Sequence, residues 1–303
     1  MCCRRNALMV CMNMTGFRGR RKWYLRLQRK GTVKTRGGLD FDMTEVPSYE
    51  QAWQSLKPHW FIPPTGEVLQ KTPSYSFLRM FLSPFLRPVL NAKFLGLHNI
   101  PRKGAVILAA NHLSHVDPIL VIAAARRTTH YLAKDGHFKN GPLRIVMRAT
   151  GQIETKRDEG GEGALSSAAD VLSEGQALGI FPEGTRSKRT EEPFLLPGKT
   201  GIARLAASYP NAVIVPIALT GTRNMMKPQD HKFPRLWRRI GLSAGAGITW
   251  MQWLEHENGG GMTSEQLIGL SEMEDHEIRS SLAKLYRKFT DQIMSSISAL
   301  GAP

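Results

Sequence analysis

Residues 105–125, "AVILAANHLSHVDPILVIAAA", decide the fold. An apolar run comes first, a polar cluster interrupts it, and a second apolar run follows Pro118, with no Lys, Arg or Glu anywhere in the stretch. An unbroken run such as "AVILAA" suits a strand buried on both faces, and "PILVIAAARR" has the length and composition of a helix. The centre, with Asn111, His112, His115, Asp117 and Pro118, is too polar for a membrane-spanning helix, so the stretch divides into strand, turn and helix. That division puts two imidazoles and a carboxylate at the carboxyl end of a core strand, where α/β sheets meet their ligands. Ionisable groups in such a place cost free energy unless they pair or do chemistry.

Outward from this stretch the pattern keeps alternating. "THYLAK" reads as a strand, "PLRIVMRAT" as a helix, "GQIET" as a short strand, "GALSSAADVLSEG" as a helix and "ALGIF" as a strand. "TGIARLAASY" then reads as a helix, "AVIVPIALT" as a strand and "GITWMQWL" (247–254) as a last strand. The expectation is an α/β fold, a mostly parallel sheet flanked by helices. Near the C-terminus Ile278, Leu282, Leu285, Phe289, Ile293 and Ile297 share one helical face, which predicts a helix docked on the body.

Upstream, residues 43–73 are Pro-punctuated and aromatic and read as an irregular lead-in. Over residues 74–95, Leu78, Phe81, Leu82, Phe85, Leu86, Val89 and Leu90 keep helical spacing opposite Arg79, Ser83 and Arg87, with Pro84 and Pro88 kinking the segment. This N-terminal amphipathic helical segment either packs on the domain or lies in the plane of a membrane. The chain is thus expected to divide into a basic tail (1–42), a lead-in with membrane-associating helices (43–97), an α/β domain (98–258) and a C-terminal helix (259–303).

The formal charge is +16, and residues 1–42 carry eleven Lys/Arg against Asp40 and Asp42, leaving a surplus of +7 on the remainder. Such a balance favours anionic partners: a membrane surface, a phosphorylated substrate or nucleic acid. The tail is Arg-rich but lacks serine, so it matches an organelle-targeting peptide only in part; a disordered tail, or sequence upstream of a start at Met43, is the expectation. Cys2, Cys3 and Cys11 all lie in the tail, which leaves the body without a disulfide, a cysteine nucleophile or a cysteine zinc cluster and suits a reducing compartment.

Two clusters carry chemistry. In "NHLSHVDP", Asp117 before Pro118 makes a good helix start, and a carboxylate that fixes one imidazole nitrogen leaves the other as a general base. An extended turn would point His115 and Asp117 the same way, whereas a folded-back chain would bring His112 to Asp117; spacing does not choose. In "GIFPEGTRSK" (179–188), a strand is followed by a loop with Glu183, Gly184, Thr185, Arg186, Ser187 and Lys188. Glycine admits close backbone approach, the hydroxyls donate, and the planar guanidinium fork suits phosphate. Glu183 either holds Arg186 or accepts from a substrate hydroxyl. Two other patterns mislead. "GLSAG" (241–245) matches the nucleophile elbow around Ser243 but lacks a strand before and a helix after it. "PFLLPGKT" (193–200) ends like a phosphate-binding loop, but Pro193 stands where its first glycine belongs.

Together, "NHLSHVDP" and, about 65 residues later, "FPEGTRS" resemble the NHxxxxD and FPEGTRS blocks of the glycerophospholipid acyltransferase family, which includes the 1-acylglycerol-3-phosphate acyltransferases. "YLAKDGHFKNGPLRIVMRATGQIETKRD" resembles the family's intermediate block, with Lys134, Gly151, Ile153 and Arg157 at its marked positions. "AVIVPIALTG" resembles its fourth block through Val215, Pro216 and Ile217. The resemblance spans roughly residues 75–225. It implies that His112 is the base, oriented by Asp117, and that His115 is a spacer. It also implies that Arg186, Glu183, Gly184, Thr185, Arg157 and Lys188 bind the acceptor's phosphate, with Lys134 and Ser187 in support. The donor it implies is acyl-CoA or acyl-carrier protein, with no further cofactor and no metal.

The expected function is therefore transfer of a fatty acyl group to a lysophospholipid, foremost 1-acylglycerol-3-phosphate, by a peripheral protein on the cytoplasmic side of a membrane. Glycerol-3-phosphate or another lysolipid is the alternative acceptor. A non-catalytic basic protein that binds membrane or nucleic acid is the rival from another class, but no nucleic-acid recognition module is legible in the body.

Overall fold

Five of the β-strands run side by side and parallel, the arrangement that suits an unbroken apolar run at the centre of a sheet. The computed structural model describes residues 48–67, 69, 91–134, 152–155, 160–227, 235 and 237–303. Its strands are β1 (Ala92–Leu95), β2 (Val106–Ala110), β3 (Thr129–Lys134), β4 (Ile153–Thr155), β5 (Ala177–Ile180), β6 (Val213–Thr220), β7 (Ile240–Ala244) and β8 (Ile248–Thr249). They form one sheet in the order β1-β7-β6-β2-β5-β3-β4, with β8 paired to β6. β2, β3, β4, β5 and β6 are mutually parallel, while β7 and β8 run antiparallel to β6, and β1 follows β7. β2 lies at the centre, and each of its residues is buried, as its unbroken apolar run requires.

Proline in the middle of β6 is tolerated for a local reason. On the side away from β2, β6 pairs first with β8 at Val213 and Ile214 and then with β7 from Ile217 onward. Pro216 falls in the gap between those partners, where no ladder bond needs its missing N–H, and its carbonyl accepts from Gly245 N at 2.8 Å.

The helices are α1 (Tyr49–Ser55), α2 (Lys57–Trp60), α3 (Asp117–Ala125), α4 (Gly160–Ser173), α5 (Gly201–Ser208), α6 (Thr222–Met225), α7 (Trp250–Glu255), α8 (Ser264–Ser271) and α9 (Asp275–Ala299). One core layer joins α1, α2, α4, α5, α7, α8 and α9 to a face of the sheet; the other packs α3 against the opposite face. α9 buries Ile278, Leu282, Tyr286, Phe289, Ile293 and Ile297, so the C-terminal helix does dock through the periodic face, with Tyr286 buried where Leu285 is only partly covered. Among the described residues no helix is long and apolar enough to cross a membrane.

Three local expectations are corrected. Residues 247–254 are not a strand: after two extended residues the chain turns into α7, because Thr249 and Gln252 form a reciprocal capping box and Trp250, Trp253 and Leu254 bury one helical face. The lead-in is not irregular throughout. Trp53 and Trp60 of α1 and α2 stack with centroids 5.3 Å apart, Trp53 is fully buried against Trp250, and its indole donates to the Ala207 carbonyl. Residues 92–95, placed at the end of the amphipathic helix, form the edge strand β1, so the sheet starts before residue 98. These elements all belong to one compact unit, Tyr49–Pro303. The basic tail, residues 74–90 of the expected amphipathic helix and the expected helix "PLRIVMRAT" lie outside the described residues.

Candidate active site

The site begins where β2 stops. Asn111, fully buried, donates from Nδ2 to the Leu219 carbonyl at 3.0 Å and accepts the Leu219 N–H on Oδ1 at 2.7 Å. Its side chain thus copies one more backbone rung between β2 and β6 and frees the main chain to turn at once. The next residues fold back over Asp117, whose Oδ2 accepts from Leu113 N and Ser114 N, each at 2.6 Å. The same oxygen lies 3.0 Å from His112 Nδ1. Asp117 therefore does not cap α3 through its side chain; Val116 is the N-cap and the carboxylate reaches backward instead. The folded-back alternative is the one adopted, and His112, not His115, faces the carboxylate.

The "FPEGTRS" loop, following β5, closes over this turn. Phe181 stacks on the His112 ring with centroids 3.9 Å apart and planes within 9°, and Tyr131 of β3 stacks behind Phe181 at 5.3 Å. Gly179 makes room for that stack: a Cβ there would lie 2.1 Å from the Tyr131 ring. Gly179→Ala is expected to push Tyr131 and, through Phe181, His112, destabilising the fold by about 1–3 kcal/mol. Chemical denaturation measures the loss, and an unchanged midpoint would mean the ring has room to move.

Glu183 departs from its expected role. It is only 2 % exposed, its Oε1 accepts the His112 N–H at 2.6 Å, and its Oε2 accepts the Leu196 N–H at 3.0 Å. Burial pushes its pKa up to about 7 against the pull of those two backbone donors. With both oxygens committed to the main chain and a charge of the wrong sign for phosphate, Glu183 braces the backbone of His112 and does not bind an anion. Ser187, buried, adds a second brace, its N–H donating to the His112 carbonyl at 3.1 Å.

The remaining loop residues face outward. Gly184, Thr185 and Lys188 are exposed, and Gly184 has φ +69, a conformation glycine adopts without strain. Arg186 is half-buried, and desolvation lowers its pKa while the Asp117 carboxylate opposes that. A guanidinium nevertheless stays charged. Its Nη1 meets Nε2 of the exposed His115, so His115 contacts the loop's arginine and is more than a spacer. Lys134 ends β3, Ile153 starts β4, and Gly151 and Arg157 lie outside the described residues.

Several contributors were not read from the sequence. Arg223, on α6, donates to the Ser187 carbonyl at 3.1 Å and to the Arg189 carbonyl, and its guanidinium lies 4.4 Å from the Phe194 ring centre. It thus ties together the stretch of the loop that follows Arg186. Lys199, from the discarded "PGKT" pattern, lays its side chain over Gly184 and brings a further cation to the loop. The signal for Asn111 and Phe181 was their adjacency to the motif histidine and glutamate; for Arg223 and Lys199 there was none. Ser243 sits within β7, paired with Leu95 and Ala218, so no nucleophile elbow forms.

The family model described as acyltransferase matches residues 91–220. The chain is 30% identical over 131 residues to a 1-acyl-sn-glycerol-3-phosphate acyltransferase of Borreliella burgdorferi, covering 43% of this chain and 51% of the relative. It is 28% identical over 148 residues to the enzyme of the same name from Bacillus subtilis, covering 48% of this chain and 71% of the relative. The chain thus spans about half the length of the Borreliella protein. A solved structure, the 1-acyl-sn-glycerophosphate (LPA) acyltransferase PlsC of Thermotoga maritima, aligns with a TM-score of 0.45 at 18% identity, over 72% of this chain and 85% of that one. Residues 91–220, the span that the acyltransferase family model matches, hold the His112–Asp117 turn, the loop that closes on it and the central strands beneath both.

Proposed function

We propose that the protein transfers a fatty acyl group from an acyl thioester, acyl-CoA or acyl-carrier protein, to the free hydroxyl of 1-acylglycerol-3-phosphate, giving phosphatidate. The observation that carries this reading is His112 Nδ1 held 3.0 Å from a buried carboxylate, at the end of the central strand and beside a loop rich in cations. The activity for which these relatives are named supports the choice of acceptor.

In the proposed step Asp117 holds the Nδ1–H of His112, so Nε2 carries the lone pair. Nε2 takes the proton of the acceptor hydroxyl as its oxygen attacks the thioester carbonyl. The C–O bond forms, the C–S bond breaks, and the imidazolium returns its proton to the leaving thiolate. Such general-base assistance is worth about 10²–10⁴ in rate. Arg186 and Lys188, joined in the family resemblance by Arg157, bind the acceptor phosphate. No group in the step calls for a metal. The acceptor and product are membrane lipids, so the protein works as a peripheral protein at a bilayer surface on the side where acyl thioesters are made.

Incubation with lysophosphatidate and oleoyl-CoA, followed by mass spectrometry, tests the reading. Phosphatidate supports it; acyl transfer only to glycerol-3-phosphate or another lysolipid moves the acceptor, and no transfer to any of them overturns it. A charge-assisted contact is worth about 1.5–3 kcal/mol, so Arg186→Ala is expected to raise the acceptor KM roughly 10- to 100-fold with a much smaller change in kcat. An unchanged KM would remove Arg186 from phosphate binding.

A further inference from the structure

A basic and aromatic surface lies at the same end of the sheet as the site. Among the described residues Trp237 is 72% exposed, the largest exposure of the large apolar side chains that stand open, whereas Trp53, Trp60, Trp250 and Trp253 are buried. Its backbone has φ +64, a conformation that costs a bulky residue energy and persists where the surroundings impose it. Arg235, Arg238 and Arg239 flank it, all exposed, and residues 235–239 contain no acidic residue. An indole flanked in sequence by exposed cations combines an amphipathic body with charges, the combination found where proteins enter the headgroup layer.

The patch is continuous with the site through α6. β7 starts immediately after Arg239 and pairs Gly241 with Thr220, the last residue of β6, so the patch stands at the carboxyl end of β6. The Arg235 N–H donates to the Met225 carbonyl at 2.8 Å, and the next carbonyl, that of Met226, accepts from Ser114 Oγ at 2.7 Å. Ser114 is one of the donors that close the turn onto Asp117. From the same short helix Arg223 reaches the loop of Arg186.

We propose that Trp237 with Arg235, Arg238 and Arg239 docks the protein on an anionic phospholipid bilayer, setting the end of the sheet that carries His112 against the lipid headgroups. The occupant follows from charge complementarity and from this continuity with a site whose acceptor is itself an anionic lipid. The inference rests on the proposed function for the use of the surface, but the binding test does not.

The full chain is sedimented with vesicles of phosphatidylcholine and phosphatidylglycerol, and with phosphatidylcholine alone. Each arginine near an anionic surface contributes to binding, so Arg235→Ala/Arg238→Ala/Arg239→Ala together are expected to lower partition onto the mixed vesicles about 100-fold, and Trp237→Ala roughly 10-fold. Quenching of tryptophan fluorescence by brominated acyl chains should fall in Trp237→Phe. The triple arginine variant and Trp237→Ala should keep wild-type turnover of a soluble short-chain acceptor and lose turnover of acceptor held in vesicles. Partition and quenching equal to wild type would overturn the proposal, as would loss of duplex DNA binding in these variants with no change on vesicles. Absence of acyl transfer by the wild type would defeat the functional reading alone, since partition and quenching are read without catalysis.

Discussion

His112→Ala is expected to lower the proposed acyl transfer by a factor of about 10²–10⁴, the contribution a positioned general base makes, while the chain stays folded. The site explains both halves of this expectation. An alcohol is a weak nucleophile and needs its proton removed as it attacks, and His112 is the imidazole held by a buried carboxylate. Its ring is part-exposed and lies flat on Phe181, so its removal takes away one stacked face and leaves the backbone bonds to Glu183 and Ser187 in place. Phosphatidate formation by mass spectrometry, with circular dichroism as the control for folding, checks it. A variant that is folded and as active as wild type would exclude His112 as the base. Asp117 is a poorer first test. Its carboxylate also accepts two backbone N–H groups, so its removal confounds chemistry with the unpaired donors left behind.

Glu183→Gln is expected to weaken both the fold and the reaction. Glu183 offers two acceptor oxygens to two backbone donors, and glutamine has only one oxygen. Its NH₂ must then face the N–H of His112 or of Leu196, leaving a buried donor unpaired at a cost of about 1–3 kcal/mol. The effect should appear as a lower denaturation midpoint and a lower kcat, with the acceptor KM changed little, because the brace acts through His112. A large rise in KM with an unchanged kcat would return Glu183 to phosphate binding. The same residue gives the fold a pH dependence. Its pKa in the native state is about 7, raised by burial above the ordinary 4.5, so the native state holds a proton that the unfolded chain has released between those values. Its contribution is fully present below about pH 4.5 and is lost as pH rises through 7, a change of about 3 kcal/mol across that window. Glu183→Gln has no such proton and should flatten the wild-type decline between pH 5 and 8, read from denaturant midpoints. A decline of the same slope in the variant would place its origin elsewhere.

Much of the architecture was legible because it is local. Strand β2 announces itself as an apolar run buried on both faces, and the strands and helices that alternate after it keep their periods. Length and periodicity do not reveal what a segment finds on folding. "GITWMQWL" has the composition of a strand, yet Thr249 and Gln252 cap a helix that buries Trp250 and Trp253 in the aromatic core. Trp53 and Trp60, in a segment that looked irregular, are drawn into helices by that same core. Tertiary packing outweighed local preference at both places.

By itself the sequence determined the α/β order of elements, the two motif blocks and the residue types available for chemistry, since these depend on neighbours along the chain. It did not determine which histidine faces Asp117, because that turns on a backbone reversal closed by Leu113 and Ser114 N–H groups and anchored by Asn111 on Leu219. Nor did it reveal that Glu183 braces His112 while Arg223 and Lys199 join the loop of Arg186. Those are contacts between residues far apart in sequence, and a carboxylate reads as a surface charge or a buried brace according to which donors the fold brings to it.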